Sequence, residues 1–327
     1  MKRRRNPYRR DEADGNIFSR LFSRLKRIHI TFVGHEGRWW RRAAALLAAV
    51  LVIVIGAIAL RPETQIMNSV ELVRARDRGT IYIGVRDDVP RFNEGGEGLE
   101  QELARMLAAR ILPDAEEPYR FIECSSQTVS TKISDGSIDV AIALLPKGKS
   151  RSYAYSYSYY TDEVRIVTLK SEFTSSAPID LTLGYVQGTP AGDVLTAYQK
   201  EVTAVKEQSF FEKLFKKPTE TVVVEEAKNM ELHKYGSYEE LIDALMRGSV
   251  DGAVMAGAYI NKYFKVYAAE YTGRAKYYLN DTVIGEVEYS FVSSSDEPAF
   301  MQLADIMIYE MEKDGSLAEL LEKYGLE

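Results

Sequence analysis

The chain has 327 residues, 46% of them hydrophobic and 28% charged, which excludes a disordered or fibrous chain and leaves room for one large domain or two ordinary ones. Its formal net charge of -6, from 42 Lys+Arg against 48 Asp+Glu, speaks against a nucleic-acid binder, in which positive charge gathers on one face. The average conceals a division: residues 1–42 hold 13 Lys+Arg and 4 Asp+Glu (+9), leaving 29 and 44 for residues 43–327 (-15).

Within the basic tail, Ile17, Phe18, Leu21, Phe22, Leu25 and Ile28 recur at helical spacing, while Arg20, Arg24, Lys26 and Arg27 fall elsewhere on the wheel. The pattern predicts an amphipathic helix on anionic headgroups, with a solvated basic tail as the plainer alternative. Ala43 to Leu60 then run 18 residues without a charged or polar side chain, between Arg41-Arg42 and Arg61. At about 1.5 Å per residue such a helix spans roughly 27 Å, enough for a bilayer core. The basic flank predicts a cytoplasmic N-terminus and an extracytoplasmic remainder, with Trp39 and Trp40 in the interfacial belt. A cleaved secretion signal ending near Ala59 is the alternative, disfavoured by the 42 residues ahead of the apolar run. The single cysteine, Cys124, has no internal disulfide partner and reads as a small buried thiol.

From residue 62 the pattern is globular. Residues 63–77 read as a helix stopped by Gly79, followed by a strand at Ile81–Val85 and a Pro/Gly loop over 89–98. Leu99, Leu103, Met106, Leu107 and Ile111 then share one helical face. A short helix over 129–134 leads into a buried strand at 138–145, and this alternation predicts βαβ units on a parallel sheet covered on both sides. The same grammar returns with a strand at 183–186, a turn at 188–190, a helix from Ala191, a helix at 238–246 and a strand at 250–255. Two segments, ISDGSIDVAIAL (133–144) and LMRGSVDGAVMA (245–256), repeat one plan. Tyr153, Tyr155, Tyr157 and Tyr159 alternate, so a strand there places all four on one face. Residues 201–228 fit the plan poorly and read as an insertion, and helices at 297–313 and beyond Gly315 close the chain.

These residues resemble the extracytoplasmic solute-binding proteins of ABC importers, type II topology, family 3. The resemblance covers roughly 64–327 and rests on six motifs in order: RDRGTIYIGVRDDVPRF, EGLEQELARMLA, ISDGSIDVAIALLPKGKSR, LGYVQGTPAGDVL, YGSYEELIDALMRGSVDGAV and MEKDGSLAELLEKYG. It implies an α/β fold of two lobes, each on a parallel-type sheet, joined by two crossing strands and closing on a ligand between them. Lobe 1 would comprise about 64–172 and 278–327, lobe 2 about 173–277, behind a tail at 1–42 and an anchor at 43–60.

The resemblance also implies site residues. Arg151, twelve after Asp139, would grip a ligand carboxylate with its planar fork. Gly188 and Thr189, ahead of Pro190 at a helix start, would present amides and a hydroxyl to the same group. Phe92, Leu144 and Tyr160 would line the cleft. The chain departs from the family at the ammonium half of the site, where Ala256, Ser126 and Pro146 replace an Asp, an aromatic lid and a Thr. Because a buried ammonium needs a counter-charge, either Asp87, Asp88 or Glu94 near the cleft mouth serves instead, with Asp88 also placed among the ligand contacts, or the solute is not a standard α-amino acid.

Three functions compete. The first is a membrane-anchored receptor handing a small carboxylate-bearing solute to an ABC permease, touching lipid through residues 17–60. The second is a tethered sensor using the same module and the long basic tail. The third, an enzyme akin to the dehydratases that resemble these receptors, is disfavoured: only His29, His35 and His233 are present, and the residues suggest no metal cluster, catalytic residue or cofactor.

Overall fold

A computed structural model of the chain describes residue 43 and residues 46–51, 62–125, 127–148, 150–200, 230–266 and 276–326. The chain divides into two units, Met1–Arg61 and Pro62–Glu327. In the first, residues 43 and 46–51 are helical, with Leu46, Leu47, Val50 and Leu51 each more than half exposed. Among the described residues no helix is long and apolar enough to cross a membrane. The basic tail with its expected surface helix, the rest of the expected span, Ser126 and the segment 201–228 lie outside the described residues.

The second unit begins with α1 (Pro62–Ile66) and α2 (Val70–Arg78). Where periodicity predicts one helix, the chain breaks at Asn68-Ser69, residues whose side chains favour caps over helix interiors, and Ser69 takes the extended N-cap conformation. Gly79 ends α2 in the left-handed region (φ 77°), its N–H donating to the carbonyls of Ala75 and Arg76. Then follow β1 (Ile81–Val85), α3 (Leu99–Ile111), β2 (Tyr119–Glu123), α4 (Val129–Ser134), β3 (Val140–Ile142) and β4 (Tyr153–Thr168). The second half continues with β5 (Thr182–Val186), a helix α5 over 190–200, β6 (Glu231–Tyr235), α6 (Tyr238–Met246), β7 (Gly252–Ala256) and α7 (Gly257–Ile260). A π-helical turn, Asn261–Val266, extends α7. The last elements are β8 (Tyr278–Ser294), α8 (Ala299–Asp314) and α9 (Ser316–Tyr324).

The strands form one mixed sheet of eight in the order β2-β1-β3-β8-β4-β7-β5-β6. Within each half the three outer strands are parallel, as βαβ connections require, while β4 and β8 run antiparallel to each other and to β3 and β7. The two crossing strands pair from Tyr153 opposite Ser294 to Thr168 opposite Tyr278, so the two implied sheets are one continuous ladder. Along it, β3 runs toward lower-numbered β8 residues and β7 toward lower-numbered β4 residues. The carboxyl ends of the two parallel sets therefore point at each other across the middle of β4 and β8, the place where open α/β sheets bind ligands.

The internal repeat has a structural meaning. Asp139 exchanges bonds with β1, its N–H donating to the Tyr82 carbonyl and its carboxylate accepting from the Tyr82 N–H, both at 2.8 Å. Asp251 does the same with Thr182 at the start of β5, at 2.8 and 2.9 Å. In each copy a left-handed glycine, Gly136 or Gly248, ends the preceding helix. Each lobe thus locks its central parallel pair with the same carboxylate clamp.

The lobe 1 core gathers Phe92, Leu103, Leu107, Phe291 and Phe300, and lobe 2 has its own cluster around Leu241, Val250 and Met255. Met106, expected on the buried face of α3, is 39% exposed, because α3 presents a narrower apolar stripe than its periodicity suggests. The tyrosine stripe is also corrected. Register shifts at 155–158 and 158–160 break the two-residue alternation, so Tyr153 and Tyr155 pack together while Tyr159 turns into the core against Phe291.

Gly98 begins α3 at φ 134°, and a Cβ there would overlap the Phe92 carbonyl, whereas one at Gly79 would meet open space. Gly98→Ala should therefore cost more than about 2 kcal/mol and Gly79→Ala about 1 kcal/mol, as read from urea unfolding midpoints of the two variants. Equal losses would contradict the packing described.

Candidate functional site

The facing strand ends carry an ionic centre shared by the two lobes. Arg86 leaves β1 at its carboxyl end and grips Asp88 with two parallel bonds, Nε to Oδ1 at 2.8 Å and Nη2 to Oδ2 at 2.9 Å. From lobe 2, Lys262 donates its Nζ to the same Oδ2 at 2.6 Å. Tyr259, one helical turn before Lys262, accepts from Arg86 Nη1 at 2.8 Å. The spacing is what the helical continuation after β7 requires, since residues three apart share a face.

Behind this centre sits Glu100, at 0% exposure. Its Oε1 accepts from the Leu144 N–H at 2.6 Å and from the Tyr159 hydroxyl, and its Oε2 from Asn93 Nδ2. One carboxylate thereby ties the loop after β1, the loop after β3 and the crossing strand β4. Leu144 meets it from the left-handed region (φ 51°), a strained conformation for a branched side chain. Asp162, in the middle of β4 and 3% exposed, accepts from the N–H groups of Gly257 and Ala258 at 3.0 and 2.9 Å, holding the start of α7 against the hinge.

Aromatic rings surround these charges. Tyr238 stacks on Tyr259 with centroids 4.7 Å apart and leans on Tyr263, while Tyr160 contacts Phe92 edge-on and stacks over Tyr289. The hydroxyls of Tyr238 and Tyr289 are buried, the first facing Thr189 and the second Asp162.

Burial pushes Glu100 up to about 7 and Asp162 up to about 6, against the hydrogen bonds that favour their ionised forms. For Asp88 burial acts the same way, but the bonds from Arg86 and Lys262 outweigh it and hold the carboxyl down at about 2. Burial opposes the Arg86 charge, yet Asp88 keeps its pKa above the ordinary value. Burial raises Tyr238, Tyr259 and Tyr289 too, so all three remain protonated near neutral pH.

The expected site residues divide on this map. Asp88 is at the centre. Thr189 and Gly188 stand at the start of α5 next to Tyr238, but the Thr189 hydroxyl donates to the Val186 carbonyl at 2.8 Å and accepts from Gly192, so it acts as a helix cap. Leu144 contributes through its backbone to Glu100. Phe92 is fully buried, with Tyr160 the more accessible of the pair. Arg151 is exposed in the turn before β4. Its neighbour Ser152 accepts from the Ser295 N–H, a register that sets Arg151 level with the amino end of β3, on the side away from the cleft. Asp87 and Glu94 are exposed near the loop surface. Arg86, Tyr238, Tyr259, Lys262, Glu100 and Asp162 were not expected. The first four follow from one signal, their places at or after the strand ends; Glu100 and Asp162 had no such signal. Among the described residues no group of three or more His, Cys, Asp and Glu is placed to hold a metal ion.

A fold of this topology, two α/β lobes joined by a pair of crossing strands, is that of a type II binding protein. The profile of the bacterial extracellular solute-binding proteins, family 3, matches residues 81–327, and the chain belongs to that family. No curated protein matches it. Among solved structures it is similar to the probable amino-acid ABC transporter extracellular-binding protein ytmK from Bacillus subtilis (17% identity, 76% of this chain and 98% of that one, TM-score 0.57). It is also similar to the amino-acid ABC transporter substrate-binding protein AbpA from Streptococcus pneumoniae, bound to L-arginine (17%, 77% and 97%, 0.51). A third is the ancestral amino-acid-binding protein AncCDT-1, a precursor of cyclohexadienyl dehydratase (17%, 77% and 98%, 0.52). At these identities the likeness shows the shared fold.

Because the folded pKa of Glu100 lies above that of an ordinary carboxyl, its contribution to stability is complete below about pH 4.5 and is lost as pH rises through 7. The loss should be on the order of 1–3 kcal/mol between pH 5 and 8, with Asp162 adding in the same direction. Melting curves across that range should show the wild-type Tm falling with pH and a flatter profile for Glu100→Gln. Identical slopes would contradict the assignment.

Proposed function

We propose that this protein is a membrane-anchored, extracytoplasmic solute-binding protein that captures a small carboxylate-bearing solute between its lobes and delivers it to an ABC permease. The anchor is the apolar run 43–60, with the basic tail on the cytoplasmic side and lipid contact through residues 17–60. The observation that carries the reading is Arg86. This largely buried guanidinium stands at the carboxyl end of β1, is held in place by Asp88 and reaches Tyr259 of the other lobe. Two of its five N–H groups remain for a ligand oxygen after those three bonds, and a planar fork suits a carboxylate. The N-terminus of α5 supplies further donors on the lobe 2 side.

Arg86 thus takes the part that the resemblance implies for Arg151. Family membership and the kinship with amino-acid-binding proteins support transport as the setting. A ligand touching both lobes would add its contacts to the closed form, which is how binding becomes hinge closure.

A thermal-shift panel of carboxylic and amino acids on the full chain in detergent tests this. A true ligand at a hundred times its Kd stabilises by about 2.7 kcal/mol, a shift of roughly 5–10 °C for a domain of this size, and Arg86→Ala should remove the shift. Failure of the whole panel, or a shift retained in Arg86→Ala, would refute the reading.

A further inference from the structure

Resting on the proposed carboxylate capture, the cleft also carries information about which carboxylates it admits. Three carboxylates line or back the cleft, and every one of their oxygens is already engaged. Asp88 gives Oδ1 to Arg86 and Oδ2 to both Arg86 and Lys262. Asp162 gives its two oxygens to the Gly257 and Ala258 N–H groups. Glu100 gives Oε1 to Leu144 and Tyr159 and Oε2 to Asn93. Asp162 and Glu100 are moreover 3% and 0% exposed.

The donors are in the opposite condition. Arg86 has two N–H groups and Lys262 two more beyond the bonds described, and Tyr259, which accepts from Arg86, keeps its own proton to give. Arg86 and Lys262 both hold Asp88, with side-chain exposures of 13% and 14%. The other acid near Lys262, Glu239, is exposed and accepts from the Tyr263 hydroxyl at 3.0 Å.

Lys262 is itself an ammonium docked on Asp88, the carboxylate best placed to receive the amino group of a ligand. A second ammonium would enter as a third positive charge on that one carboxylate. A phenol oxygen could accept its hydrogen bond without neutralising its charge, and an uncompensated buried ammonium is costly. An incoming anion meets the reverse, the open N–H groups of Arg86 and Lys262 in a site walled by aromatic rings.

We propose that this cleft is selective for carboxylates that lack an ammonium group, and that Lys262 is the residue that determines this selectivity by occupying Asp88. The ligand class is a small organic acid whose remainder packs against the Tyr238, Tyr259 and Tyr263 rings, and its carboxylate takes the open N–H groups of Arg86.

Isothermal titration calorimetry of the full chain in detergent, with matched pairs differing only in the amino group, tests the assignment: 3-phenylpropionate against L-phenylalanine, glutarate against L-glutamate, and 5-guanidinopentanoate against L-arginine. The expected result is that at least one desamino acid binds at least about tenfold tighter than its amino partner, the order expected for an unpaired buried charge. Lys262→Gln and Lys262→Met should each narrow that ratio by releasing Asp88. If the amino acid binds as tightly as its partner or more tightly in every pair that binds, the selectivity proposal fails while carboxylate capture stands. If the ratio is unmoved in both Lys262 variants, Lys262 is not its source. If no member of any pair binds, both readings fall together.

Discussion

The backbone joins the two halves of this molecule through one feature, the long antiparallel pairing of β4 with β8, and its side chains join them a second time at Asp88. The pairing makes the eight strands a single ladder. The ion pair adds a second tie, where Arg86 of lobe 1 and Lys262 of lobe 2 share one carboxylate. A two-lobed receptor needs both: a strand pair that bends without parting, and contacts across the mouth that can form and break. Asp162 connects the two, since it sits within β4 and holds the first amides of α7, the segment that carries Tyr259 and Lys262 to the cleft.

The electrostatic arrangement separates structural charges from those available to a solute. Glu100 and Asp162 are buried beneath hydrogen bonds and shifted toward neutrality, which suits groups that position loops. Asp88 is the contrary case, fully ionised because two cations hold it. What remains for the solute is the surplus of N–H and O–H groups around Arg86, so the same interaction that ties the lobes also biases the chemistry of the cleft toward acceptors.

Much of this organisation was legible in the residues. The strand at Ile81–Val85 and the helices at 99–111, 129–134 and 238–246 follow from apolar spacing and glycine stops, and the repeated Asp of 133–144 and 245–256 marked equivalent positions that prove to clamp equivalent strands. The edge strands β2 and β6 were not legible, because Tyr119–Glu123 and Glu231–Tyr235 are half-exposed and have no continuous apolar run to announce them. The tyrosine stripe misled because bulges, which no periodicity records, reverse the facing of alternate residues. At the site, Asp88 was visible as an acid near a strand end, but its partners were not. Lys262 lies 174 residues away in sequence, and an ion pair of that separation exists only once topology brings the strand ends together. Arg151 followed from family spacing, while the register of the turn before β4 sets it on the other side of lobe 1.

If the lobes are tied through Asp88 and Lys262, the distance between them depends on that ion pair. Spin labels on cysteines introduced at exposed Glu116 in lobe 1 and Asp243 in lobe 2, with Cys124→Ser as background, would report that distance by double electron-electron resonance. Lys262→Gln should move the distance distribution toward longer separations, and 1 M salt should move the wild type in the same direction, since an ion pair of half-exposed Asp88 is screened. Distributions that coincide for wild type and variant, at low salt and high, would contradict it.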